Sequence, residues 1–218
     1  MARRSSFPTS RRARNASLWR RAFSILPKSY RLRGIALLLA LVGSVVGLRE
    51  SEILQPEAVP YSRSLYPHWL DLDGDCRDSR HEVLAAQSTR RVRWSEDGCK
   101  VESGRWSDPY TGDTFTDPRQ LDIDHIVPLA EAHRSGADHW PTGQRAAFAN
   151  DPDNLVAVDR SANRSKADGD PLSWLPPEVG QWCAYVDRFV AVKRKYRLDQ
   201  DLLEGWWTGT LLWVCGRG

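Results

Sequence analysis

The stretch Leu121-Asp122-Ile123-Asp124-His125-Ile126-Val127-Pro128-Leu129 constrains this chain more than any other. Apolar and charged residues alternate from Leu121 to Ile126, which is the period of a short strand. Alternation puts Leu121, Ile123 and His125 on one face and Asp122, Asp124 and Ile126 on the other. His125 therefore stands where a further apolar residue would be expected. Pro128 ends the strand. Downstream, Asp153-Asn154-Leu155-Val156-Ala157-Val158 reads as a turn feeding a second strand. Ser161-Ala162-Asn163-Arg164-Ser165-Lys166 reads as the first turn of a short helix with a serine cap. The core, about residues 119–168, is then strand, long loop, strand and helix, carrying His125, Asn154 and Asn163 in that order.

That order is the pattern of a ββα-metal finger. Asp-His-Ile-Val-Pro, then Asn154, then Asn163-Arg164-Ser165-Lys166 nine residues later, resembles the HNH endonucleases. A similar Asp-x-Asp-His-Ile-Val-Pro…Asn…Asn-Arg-x-Lys pattern occurs in the HNH module of RNA-guided CRISPR effector nucleases. The flanking text, with Pro-Leu-Ala-Glu-Ala before Ser-Gly-Ala, Asn-Leu-Val-Ala-Val and Asp-Pro…Trp-Leu-Pro, is more similar to small secreted HNH nucleases related to the C-terminal domain of the GmrSD restriction enzymes. The resemblance covers about Asp75 to Pro176. It implies an α+β fold, in which a ββα-metal core carries flanking helices and a small β-hairpin. It also implies an endonuclease acting on DNA, with RNA as the other substrate. No helix-turn-helix or finger array is evident, so low sequence specificity is expected.

Cutting a phosphodiester requires that water lose a proton, that charge at the phosphate be neutralised and that the leaving oxygen be stabilised. A neutral imidazole with a pKa near 6.5 suits the first task, and His125 is the candidate general base. A hard divalent cation with oxygen ligands suits the others. Asp124 offers a carboxylate and Asn163 an amide oxygen. In the resembling enzymes the matching residues hold one Mg²⁺ or Mn²⁺. By the same resemblance, Asn154 bonds across the loop and fixes the backbone or ring of His125. Arg164 or Lys166 would bind phosphate, although Lys166 could equally be a solvated lysine. Asp122 would stand behind the metal or His125, or else be an edge-strand charge. Neighbours on a strand point to opposite faces, so Asp124 and His125 can serve one phosphate only if the strand ends or bulges there. The second His pair and Cys-x-x-Cys flanks of zinc-binding variants are missing, so structural zinc is not expected. Two competing readings are a surface protein that keeps the fold but only binds nucleic acid or a partner, and a phosphohydrolase acting on a small nucleotide or a cell-wall phosphate.

The formal charge of +3 is unevenly placed. Residues 1–49 hold eleven of the 31 basic residues and none of the 28 acidic ones, leaving residues 50–218 at −8. A global positive field for nucleic acid is thereby excluded, and any grip on phosphate must come from local groups and a metal. Residues 1–33 are Arg- and Ser-rich and expected to be disordered. Residues 34–48 form an uncharged run suited to a signal-peptide h-region, short of the roughly 20 residues of a spanning helix. An uncleaved membrane anchor is the alternative. The protein is expected to be secreted or extracytoplasmic, touching membrane only through that segment. Residues 49–68, with Pro56, Pro60 and Pro67, read as a linker, and residues 69–218 as the nuclease domain. Nothing in the sequence indicates a protein partner.

Cys76, Cys99, Cys183 and Cys215 all follow the tail. In an exported chain Cys76–Cys99 and Cys183–Cys215 form the simplest of three connectivities, and four free thiols in a cytosolic chain the alternative. Asp71, Asp73, Asp75 and Glu82 match positions 1, 3, 5 and 12 of a calcium loop, but Cys76 replaces the glycine of position 6. Calcium is not expected there; an acidic turn capping a helix from about Ser79 to Ser88 is the simpler reading. Strands are expected at 90–94 and 99–104, and helices at 129–134, 142–149, 181–196 and 202–214. The run Lys193-Arg194-Lys195 reads as a solvated face, and Trp206-Trp207 as core.

Overall fold

A computed structural model describes residues 59–216. The expectations for residues 1–33 and 34–48, and for the linker up to residue 58, lie outside the described residues. The elements run α1 (Ser79–Gln87), β1 (Arg93–Trp94), β2 (Val101–Ser103), β3 (Trp106–Ser107), β4 (Thr114–Phe115), β5 (Leu121–His125), α2 (Leu129–Arg134), α3 (Thr142–Ala149), β6 (Leu155–Asp159), α4 (Arg160–Lys166), α5 (Trp182–Tyr196) and α6 (Leu202–Val214). The strands form three antiparallel pairs, β1–β2, β3–β4 and β5–β6, so the fold is α+β.

A two-stranded ribbon is marginal alone and must be covered on both faces. Alternation along β5 and β6 provides for this. Leu121, Ile123, Leu155 and Ala157 join Val83 and Leu84 of α1 and Trp106 of β3 in one apolar cluster. Val156 and Val158 point the other way, into a larger cluster with Ala162 of α4 and Val186 and Phe189 of α5. The register pairs Leu121 with Asp159 and His125 with Leu155. Among the described residues no third strand pairs with the outer edge of β6. Gln87 at the end of α1 takes its place, donating to the Leu155 carbonyl and accepting from Ala157 N–H, both at 2.9 Å.

Local chemistry sets the helix starts. Asp78 caps α1 by accepting from His81 N–H. The cap of α4 is Asp159, which accepts from Ala162 N–H at 2.8 Å, and the expected cap Ser161 lies inside the helix. Asp71 accepts from the N–H groups of Gly74, Asp75 and Cys76, an acidic turn in which Cys76 takes a left-handed φ of 73°. Carboxylate oxygens of Asp71, Asp73 and Asp75 come within 4.8 Å of one another there. Cys76 bonds to Cys99 and joins this turn to the β1–β2 hairpin; Cys183 bonds to Cys215 and joins the first turn of α5 to the end of α6.

Three expectations need correction. Residues 59–68, read as linker, are fastened to the core, because His133 of α2 bonds the Val59 carbonyl and the Tyr66 hydroxyl. Lys193 is not solvated: it is 2 % exposed and paired with Glu131 and Glu204. Trp206 is exposed, whereas Trp207 is half-buried and donates to the Pro171 carbonyl. The turn at 108–113 is the tip of the β3–β4 hairpin, whose two-residue strands are too short to show a period.

Candidate active site

β5 delivers Asp124 and His125 to its own end, and the segment before β6 holds both in place. Asn154, wholly buried, accepts from Val127 N–H at 2.8 Å and donates to the Val127 carbonyl at 3.2 Å. The amide supplies both roles at once, and an apolar side chain could supply neither. Its own carbonyl accepts from Ile126 N–H at 2.8 Å. Asn154 therefore clamps the backbone just beyond His125, not the ring.

The ring is held by another group. Nε2 of His125 lies 2.9 Å from the Ala149 carbonyl. A carbonyl only accepts, so Nε2 carries the proton and Nδ1 keeps the basic lone pair. Burial pushes the pKa of His125 down to about 3; the Ala149 bond works against this, and the charges of Arg63, Lys166 and His68 add to it. The expected ordinary value near 6.5 is therefore corrected. The imidazole is neutral throughout the physiological range.

Asp124 is 6 % exposed and anchored through one oxygen. Oδ2 accepts from the Tyr110 hydroxyl at 2.6 Å and pairs with Lys166 Nζ at 2.8 Å. Lys166 Nζ also donates to the His125 carbonyl at 2.8 Å. This overturns both sequence readings of Lys166. Its side chain is fully buried beneath β5, where it positions Asp124 and cannot reach a phosphate. Burial lowers its pKa and the Asp124 carboxylate opposes that shift; burial, then Asp124, raises the Tyr110 hydroxyl well above its usual range.

Asn163 lies one turn before Lys166 on α4. Its Nδ2 donates to Asp122 Oδ2 at 3.3 Å, and Asp122 Oδ1 lies 3.4 Å from Arg160 Nε. Asp122 thus fixes the amide of Asn163, and among the described residues no hydrogen bond engages the amide oxygen. Asp124, His125 and Asn163 line one cleft of about 480 Å³, with Arg63 and Arg134 on its walls. The conflict between opposite strand faces is resolved because the cleft opens at the strand end. Arg164 is exposed and does not line it. Tyr110, the Ala149 carbonyl and Arg63 were missed by sequence reasoning. Tyr110 sits in an ordinary Asp-Pro-Tyr-Thr-Gly turn, and a backbone carbonyl leaves no signature.

The donors fit a hard cation. Asp124 has one oxygen tied back and Asn163 its nitrogen, each leaving one oxygen without a hydrogen bond among the described residues, and both residues line the cleft. So few protein oxygens suit magnesium or manganese, which keep their waters, better than zinc.

The family model for the C-terminal domain of GmrSD restriction endonucleases matches residues 77–202. A relative described as an "uncharacterized secreted protein" from Arthroderma benhamiae is 43 % identical over 141 residues, covering 64 % of this chain and 68 % of the relative. No solved structure matches the chain.

Proposed function

The chain belongs to the family of the C-terminal domain of GmrSD restriction endonucleases, and from that premise we propose that it is an exported, metal-dependent HNH endonuclease hydrolysing DNA with low sequence specificity. The observation that carries this reading is the convergence of Asp124, His125 and Asn163 on one cleft, with the ring of His125 locked in one tautomer.

In this mechanism His125 Nδ1 accepts the proton of the attacking water. Asp124 and Asn163 would hold one Mg²⁺ or Mn²⁺, which when bound neutralises charge at the phosphate and stabilises the leaving oxygen. Lys166 and Tyr110 keep Asp124 Oδ2 occupied and so fix the direction of its other oxygen. Asp122 does the same for Asn163. Asn154 and the Ala149 carbonyl hold His125 against the strand end, and burial keeps it neutral.

Export is supported by the two disulfides and by the secreted relative. No helix among the described residues is long and apolar enough to cross a membrane. Plasmid DNA and a structured RNA, incubated with the full chain and Mg²⁺ or Mn²⁺, test the reading. Nicking or digestion abolished by EDTA is expected. Intact nucleic acid, tightly bound, would instead make the protein a binder that keeps the fold.

A further inference from the structure

Residues 59–70 form a strap before α1 that supplies one wall of the cleft, and it is fastened at both ends. At the near end His133 Nε2 meets the Val59 carbonyl at 2.6 Å and Nδ1 meets the Tyr66 hydroxyl at 2.9 Å. At the far end Asn150, 4 % exposed, donates to the Pro67 carbonyl at 2.9 Å and accepts from Leu70 N–H at 3.0 Å. Between Pro67 and Leu70, Trp69 is held at a left-handed φ of 58° with its ring 6.0 Å from that of His125. So bulky a residue is disfavoured there, and strain of this kind gathers at functional sites.

Arg63 lies between the fastenings, exposed, and lines the cleft beside Asp124, His125 and Asn163. The other arginine of the cleft, Arg134, is committed to Asp168 at 2.7 Å and Glu131 at 3.1 Å. Arg63 has no carboxylate partner among the described residues. Its Nε donates to His68 Nε2 at 3.5 Å, and His68 Nδ1, 2.8 Å from the Tyr66 carbonyl, carries that ring's proton. The two terminal guanidinium nitrogens remain for a ligand.

We propose that Arg63 is a phosphate-binding residue of this cleft, its terminal nitrogens taking the two non-bridging oxygens of a phosphodiester as a bidentate fork. The strap is then part of the site, although it lies outside the ββα finger. This rests on the nuclease reading for the identity of the ligand.

The test is binding of a short labelled DNA duplex to the full chain in EDTA across a salt series, with cleavage in Mn²⁺ measured in parallel. Arg63→Ala should weaken binding roughly ten-fold and lower the salt slope by about 0.9, the share of one phosphate contact. Arg63→Lys should restore the slope but only part of the affinity, because the fork is lost. Arg194→Ala, exposed on α5 away from the cleft, should bind as the parent does. Unchanged affinity and slope for Arg63→Ala would overturn the proposal. So would a loss that Arg63→Lys does not recover and that tracks a lower unfolding temperature, which marks a strap fastener only. If the parent fails to cut in Mn²⁺ while binding in EDTA still depends on Arg63, the nuclease reading falls and the phosphate contact stands.

Discussion

Lys166 and Lys193 are each 2 % exposed, yet their surroundings differ in kind. Lys193 on α5 meets Glu131 at 2.8 Å, Glu204 at 2.6 Å, Ser135 Oγ at 3.0 Å and the Asp199 carbonyl at 2.9 Å. Two carboxylates and two neutral acceptors saturate one ammonium, and Lys193 does not line the cleft of Asp124, His125 and Asn163. Burial pushes the Glu131 carboxyl up, but Lys193, Ser135 and Arg134 outweigh it and hold it below the usual range; burial leaves Glu204 raised. Lys166 meets a single carboxylate oxygen and one carbonyl, and the carboxylate it holds fronts a cleft. The first cluster is closed and ties α2, α5 and α6 together. The second is open on one side, so its charge serves to aim Asp124. Burial alone does not separate a structural lysine from one that serves a site; what the partner does with its other oxygen does.

Exchanging each lysine for methionine should break the comparison along that line. Lys193→Met leaves buried Glu204 without a cation and Glu131 with only the exposed Arg134, and should cost about 3–5 kcal/mol in unfolding, with cleavage per folded molecule unchanged. Lys166→Met should cost less, since Tyr110 still bonds Asp124, but should lower cleavage by the folded protein by roughly 10²-fold, the scale of losing an electrostatic positioning group. Denaturant titrations beside single-turnover assays separate the two. Equal loss of cleavage per folded molecule in both variants would erase the distinction. Removing the Cys183–Cys215 bond, with its sequence separation of 32, should cost about 3–4 kcal/mol by chain entropy and leave the cleft intact. That measurement asks whether the helical region can be loosened without disturbing the finger.

The acid response sharpens the contrast further. His125 has a folded pKa of about 3, below its unfolded value near 6.5, so the unfolded chain binds a proton that the folded one refuses. Its contribution to stability is complete above pH 6.5 and lost as pH falls from there toward 3, at up to about 1.4 kcal/mol per pH unit. Unfolding temperatures from pH 7 to pH 4 should therefore fall less steeply in His125→Ala than in the parent. The cleavage rate should show no rising limb near pH 6.5 from this residue, and such a limb would contradict its burial.

The finger was legible because its signals are local. The period of two in 121–126, the turn at Asp153-Asn154 and the short helix after β6 place Asp124, His125, Asn154 and Asn163 on the elements they occupy. Cysteine order also pointed to both disulfides. Lys166 and Lys193 were misread because a lysine's sequence context does not show whether a carboxylate 42 or 62 residues upstream will face it. The strap was misread because its order comes from single bonds to His133 and Asn150, and its prolines suggested a linker. The cap of α4 was misplaced by two residues because strand and helix meet without a loop, so the last strand residue, Asp159, serves as the cap.

Single-turnover cleavage of a labelled duplex across a Mn²⁺ titration, for the parent, His125→Ala and Asp124→Ala, tests the assignment of the cleft most directly. His125→Ala should lose roughly 10²–10⁴-fold in turnover at every Mn²⁺ concentration, with metal affinity near that of the parent. Asp124→Ala should need far more Mn²⁺ and recover part of its rate when given it, since the one anionic ligand is gone. Recovery of His125→Ala by metal, with none for Asp124→Ala, would reverse their roles. Full cleavage by both variants would place the active site elsewhere in the chain.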